Sequence, residues 1–143
     1  RLKAGEDIEL EDGTIIRAVD VLHDPIPGRV VAVMGDTRPC EGAIRLARGA
    51  DALVYEATFG ADLAEKADMY GHSTSVQAAE IAKAAGVSRL LMTHFSSRYG
   101  REDLILLEEQ ARSVFPRSDA ALELVPYPVP ASSRGERSPS SGA

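Results

Sequence analysis

The sequence predicts an α/β domain, and three observations carry that prediction. Two short aliphatic runs, Val30-Val31-Ala32-Val33-Met34 and Leu90-Leu91-Met92-Thr93, stop abruptly at Gly35 and at His94, as buried strands do where they open into loops. Stretches with helical periodicity lie between such runs and end at glycines, Gly49 and Gly86. The resulting order, β-α-β-α-β-α-β, contains no internal repeat and describes a layer of an α/β sandwich.

Taken from the amino terminus, Asp7-Ile8-Glu9-Leu10 alternates polar and apolar residues, Glu11-Asp12-Gly13 is a turn, and residues 14–19 are expected to resume a strand. His23-Asp24-Pro25-Ile26-Pro27-Gly28 is a loop, because two prolines and a glycine bar regular structure, and His23 there has no chemical role. A strand is expected over 29–34, a helix over 40–48 and a short strand over 51–55 ahead of Glu56-Ala57-Thr58-Phe59. Residues 62–68 suit one or two helical turns. Ser73 or Thr74 caps an amphipathic helix that runs to Ala85, with Val76, Ala79, Ile81 and Ala82 on its apolar face. A strand over 87–93, a helix over 102–114 and a last strand over 121–125 complete the pattern. Residues 126–143 are rich in Pro, Ser and Gly, and disorder is expected there.

The 143 residues suffice for one domain, and 44% hydrophobic with 27% charged residues is the composition of a soluble globular protein. No apolar run approaches the length of a membrane span, and no signal peptide follows Arg1. The chain opens at Arg rather than Met, so a fragment or a processed piece is expected. The single cysteine, Cys40, excludes an internal disulfide framework and fits a reducing cytoplasm. A net charge of −6 argues against nonspecific nucleic-acid binding by the whole chain, while leaving room for a local basic patch.

Asp36 and His94 stand at the ends of the two aliphatic runs, where α/β domains present ligands. The carboxylate could bridge two cations, and an imidazole is a good borderline ligand for zinc-class ions. Alternatively, Asp36 caps the helix that follows or makes an Asx turn, and His94 is a hydrogen-bonded structural residue. Behind His94, the string Ser96-Ser97-Arg98-Tyr99 supplies hydroxyls and a guanidinium able to seat a phosphate. His72 could donate a proton with Glu56 orienting it, or the two could be unrelated surface residues.

Together, Gly35-Asp36-Thr37-Arg38-Pro39-Cys40, Tyr55-Glu56-Ala57-Thr58-Phe59, Gly71-His72-Ser73-Thr74 and Thr93-His94-Phe95-Ser96-Ser97-Arg98-Tyr99 resemble ribonuclease Z, the tRNA 3′-processing endonuclease family of the metallo-β-lactamase superfamily. The likeness spans roughly residues 1–125, and Leu2-Lys3-Ala4-Gly5-Glu6-Asp7 with Glu11-Asp12-Gly13 extends it upstream. It implies the carboxyl-terminal half of a four-layer αββα sandwich. The implied activity is zinc-dependent endonucleolytic removal of 3′ trailers from precursor tRNA, with two Zn²⁺ per complete site and a homodimer in the full-length form. Asp36 and His94 would be metal ligands, Glu56 and His72 catalytic, and Thr37, Ser96, Ser97 and Arg98 substrate-binding. Tyr55 stands where the family's His-Glu-Ala-Thr begins with histidine, and the superfamily's His-x-His-x-Asp-His does not occur among the three histidines. The chain alone is therefore expected to be inactive. The rival readings are another phosphodiesterase or arylsulfatase-like hydrolase of the same fold, and a non-catalytic half that folds or dimerises with a partner segment.

Overall fold

The computed structural model describes residues 1–22 and 28–129. Its main feature is a sheet of strands β3 (Val31–Val33), β4 (Ala52–Glu56), β5 (Leu90–Thr93) and β6 (Ser118–Ala120), ordered as in the sequence and parallel throughout. Parallel neighbours need crossover connections. These are α2 (Glu41–Ala47), then α3 (Ala64–Tyr70) with α4 (Ser75–Ala85), then α5 (Arg101–Val114). Ahead of the sheet lie a two-stranded antiparallel ribbon, β1 (Ile8–Glu9) with β2 (Ile15–Ile16), and a short helix α1 (Ala18–Val21).

The core forms on one face of the sheet. Leu53, Tyr55, Leu90 and Met92 are fully buried against α4, whose alanines at 78, 79, 82 and 85 let the helix approach closely. Each such large side chain contributes about 1.5–3 kcal/mol on burial. Alternate residues point the other way, and there Val31 and Val33 are 47% and 65% exposed. Helix α4 begins with a complete capping box, in which Thr74 accepts from the Gln77 amide and the Gln77 side chain accepts from the Thr74 amide. It stops at Gly86, which takes the left-handed φ of 64° that ends helices.

Several expected elements move. The strand expected over 14–19 breaks after Ile16, because the Asp7 carboxylate accepts from the Ala18 amide at 2.8 Å and starts α1. The last strand lies at Ser118–Ala120 rather than 121–125. The Leu90 amide donates to the Arg117 carbonyl, Ala121 makes the final ladder bond to Met92, and the Leu122 amide is taken by the Tyr127 hydroxyl. Leu124 then turns outward with φ 62°, fully exposed. Of the segment expected to be disordered, residues 126–129 are placed: Arg89 donates to the Pro128 carbonyl and Arg29 to that of Val129. Residues 130–143 lie outside the described residues, as do His23 to Pro27 of the expected loop.

Candidate active site

The carboxyl ends of β3, β4 and β5 open at one edge of the sheet, and each carries a polar residue there. Past β3, the loop bearing Asp36 and Thr37 leads to α2. The residue at the N-cap of α2 is Cys40, not Asp36, and among the described residues no side chain caps the helix. Past β5, His94 takes φ 59°, a left-handed conformation uncommon for a residue with a β-carbon. Its Nε2 lies 3.3 Å from Asp36 Oδ2, and both side chains are about half exposed.

Glu56, the last residue of β4, is 1% exposed and organises the opening. Its Oε1 accepts from the amides of Thr37 (3.2 Å) and Ser73 (3.0 Å) and contacts His72 Nδ1 at 2.9 Å. Its Oε2 accepts from the Thr58 amide at 3.0 Å and the Thr58 hydroxyl at 2.9 Å. A buried carboxylate is tolerated only when its oxygens are satisfied in this way. His72 reaches it because Gly71, at φ 77°, closes α3 and turns the chain back. The carbonyl of Phe59 accepts from the Ser75 amide, and Phe59 bridges to Thr74, which fixes the spacing between the two segments. The sixteen positions from Glu56 to His72 are thus folded out, and the reading of the two as unrelated surface residues fails.

The other expected residues divide. Thr37 uses its amide on Glu56 and its hydroxyl on the Arg38 carbonyl. Arg98 donates from Nε to the Ser96 hydroxyl at 3.2 Å and lies over the Phe59 ring at 5.3 Å, and no carboxylate pairs with it among the described residues. Ser97 is exposed nearby. Two further residues complete the arrangement without having been singled out as site residues. Thr58 contacts Glu56, His72 and His94, and the buried Ser73 hydroxyl donates to the Thr37 carbonyl at 2.8 Å. Both sit inside the motifs Glu-Ala-Thr and His-Ser-Thr, but a hydroxyl's task is set by partners that come from elsewhere in the chain. Tyr55, fully buried, donates to the Arg38 carbonyl, and burial pushes its phenol above the ordinary value.

One ligand atom from each of Asp36, His72 and His94 lies within 4.8 Å of the others, close enough for one cation to meet them. A carboxylate with imidazoles is a donor set suited to zinc-class ions. A protein zinc site takes about four ligands, so these residues fit part of one.

The pattern described as "Beta-lactamase superfamily domain" matches residues 2–95, and the chain belongs to that superfamily. Membership implies metal binding. The chain is 47% identical to the ribonuclease Z of Geobacillus kaustophilus and 46% identical to the ribonuclease BN of Cronobacter sakazakii, in each case over 90% of this chain and 42% of the relative. It therefore spans about two fifths of the length of these relatives. Among solved structures, the metallo-beta-lactamase fold protein YhfI from Bacillus subtilis matches 64% of this chain and 36% of its own, at TM-score 0.56 and 32% identity. The short form of human tRNase Z matches 82% of this chain and 36% of its own, at TM-score 0.57 and 26% identity. The resemblance to ribonuclease Z and the fold it implied are borne out. Among the described residues no helix is long and apolar enough to cross a membrane.

Proposed function

We propose that the chain forms the carboxyl-terminal part of a zinc-dependent endoribonuclease that removes 3′ trailers from precursor tRNA. The observation that carries this reading is the meeting of Asp36 and His94 with the Glu56–His72 pair at one opening of the sheet. The names of the relatives, ribonuclease Z and ribonuclease BN, support it.

The chain's own residues divide the work. Asp36 and His94 hold metal, which when bound supplies charge stabilisation at the phosphate and an activated water. His72 handles the proton: with Nδ1 committed to Glu56, its Nε2 is the nitrogen left to serve the departing ribose 3′ oxygen. Burial of Glu56 keeps that orientation fixed. Arg98 with Ser96 and Ser97 seats the RNA phosphate, the guanidinium offering a planar set of donors. Thr37 lines the same opening. The remaining ligands lie outside this chain, so the isolated chain is inactive.

The full-length protein, assayed on a precursor tRNA with a 3′ trailer, an aryl sulfate and a cyclic dinucleotide, tests this reading. Cleavage confined to the precursor tRNA, at the trailer junction, is expected. Turnover of the aryl sulfate or the cyclic dinucleotide in preference to tRNA would replace it with another hydrolase of the fold. Activity of the isolated chain would contradict the incomplete site.

A further inference from the structure

We propose that Thr58 is a positioning residue whose hydroxyl, oriented by Glu56, fixes the tautomer of His94 and turns its Nε2 toward Asp36. The inference rests on the metal-binding role proposed above for Asp36 and His94.

Thr58 Oγ1 lies 2.9 Å from Glu56 Oε2 and 2.8 Å from His94 Nδ1. A hydroxyl has one proton to give and two lone pairs to offer. The Glu56 oxygens already serve as acceptors for the amides of Thr37, Thr58 and Ser73, so the Thr58 proton goes to Glu56. What remains toward His94 is a lone pair, which requires His94 Nδ1 to carry its proton. With that proton on Nδ1, Nε2 keeps the lone pair that a cation between His94 and Asp36, 3.3 Å apart, would take. The ligating nitrogen of a metal-bound histidine is set in just this manner by the bond its other nitrogen makes. His72 Nδ1 stands 3.3 Å from the same hydroxyl and 2.9 Å from Glu56 Oε1, so one buried hydroxyl touches both imidazoles.

The backbone around His94 calls for such a hold. A left-handed residue with a β-carbon persists only where its surroundings over-determine it. The extension of β4 does so, because the Ala57 amide donates to the Thr93 carbonyl and the Ser96 amide to the Thr58 carbonyl. Thr58 thus grips the strained turn by main chain and side chain together.

The test compares Thr58→Val, which keeps the shape and removes the hydroxyl, with Thr58→Ser, which keeps the hydroxyl, in the full-length protein. Long-range ¹H–¹⁵N histidine spectra of metal-free protein in an Asp36→Ala background, where no carboxylate competes for the Nε2 proton, report the tautomer above the pH of imidazole protonation. In that background Thr58 and Thr58→Ser are expected to show His94 protonated at Nδ1, and Thr58→Val a mixture. Zinc affinity is expected to weaken about 10- to 100-fold in Thr58→Val and to recover in Thr58→Ser. A His94 proton on Nε2 in the Asp36→Ala protein with Thr58 intact overturns the proposal, even if Thr58→Val fails to fold. So does a Thr58→Val protein with wild-type tautomer and zinc affinity. Because the tautomer is read without metal or RNA, it decides the role of Thr58 even where the tRNA reading fails.

Discussion

The two halves of the candidate site are built in opposite ways. Glu56, Thr58 and Ser73 are buried and hydrogen-bonded to groups of the chain itself, whereas Asp36 and His94 are half exposed and face each other at 3.3 Å, with His94 held from behind by the Thr58 hydroxyl. The first half is held by groups of the chain itself. In the proposed reading the second presents two ligands where a zinc ion takes about four. A fold can pre-pay the orientation of a proton donor with its own buried groups, but a metal site stays open until its last ligand arrives.

That contrast can be broken by substitution. Asp36→Ala in the full-length protein should lower precursor cleavage by at least about a thousandfold, because charge stabilisation worth several kcal/mol is lost with the metal. Compared metal-free, its melting temperature should barely differ from that of wild type, since the side chain is exposed. His72→Ala should reduce turnover by about 10²- to 10⁴-fold, with KM little changed, as for the loss of a general acid. A single-turnover assay reads the chemical step in each variant. Glu56→Gln should act on both observables. It removes a charged acceptor serving three amides, which costs about 2–3 kcal/mol of stability in a denaturant titration, and it also disorients His72.

The smallest expected effect concerns Tyr55. With its phenol held above the ordinary value, chiefly by burial and further by the neighbouring Cys40 and Glu56 charges, folding favours the neutral form. The stabilisation is fully present below the unfolded value of 10.0 and disappears as pH rises through the higher folded value. In an ultraviolet titration one of the four tyrosines should therefore ionise late, and Tyr55→Phe should remove that late step. Ionisation of all the phenols together in the folded protein would contradict it.

The sequence revealed the strand ends and the exposed half of the site more readily than the buried half. Asp36 and His94 stand out because each closes an aliphatic run, a pattern visible in a few consecutive residues. For Glu56 and His72 the residues alone left a pair and two unrelated surface groups both open, since the contact depends on Gly71 turning the chain and on the bridge from Phe59 to Thr74. Thr58 and Ser73 carried no signal of their own beyond the motifs that contain them. The misplaced last strand has a similar cause. Alternation over 121–125 suits a strand, but the pairing with β5 is set by the Arg117 carbonyl and by Glu108, which accepts from the Ala120 amide across 12 positions. Local pattern lost to long-range partners.

In the proposed reading His72 belongs to the proton-handling pair, yet one of its ligand atoms also falls within reach of a cation that Asp36 and His94 would hold. Zinc content of the full-length protein, measured beside precursor cleavage for Asp36→Ala, His94→Ala and His72→Ala, separates these roles. The account predicts that the first two lose metal and cleavage together, and that His72→Ala keeps its metal while losing cleavage. Metal loss in His72→Ala as deep as in His94→Ala, or full metal content in Asp36→Ala, would contradict it.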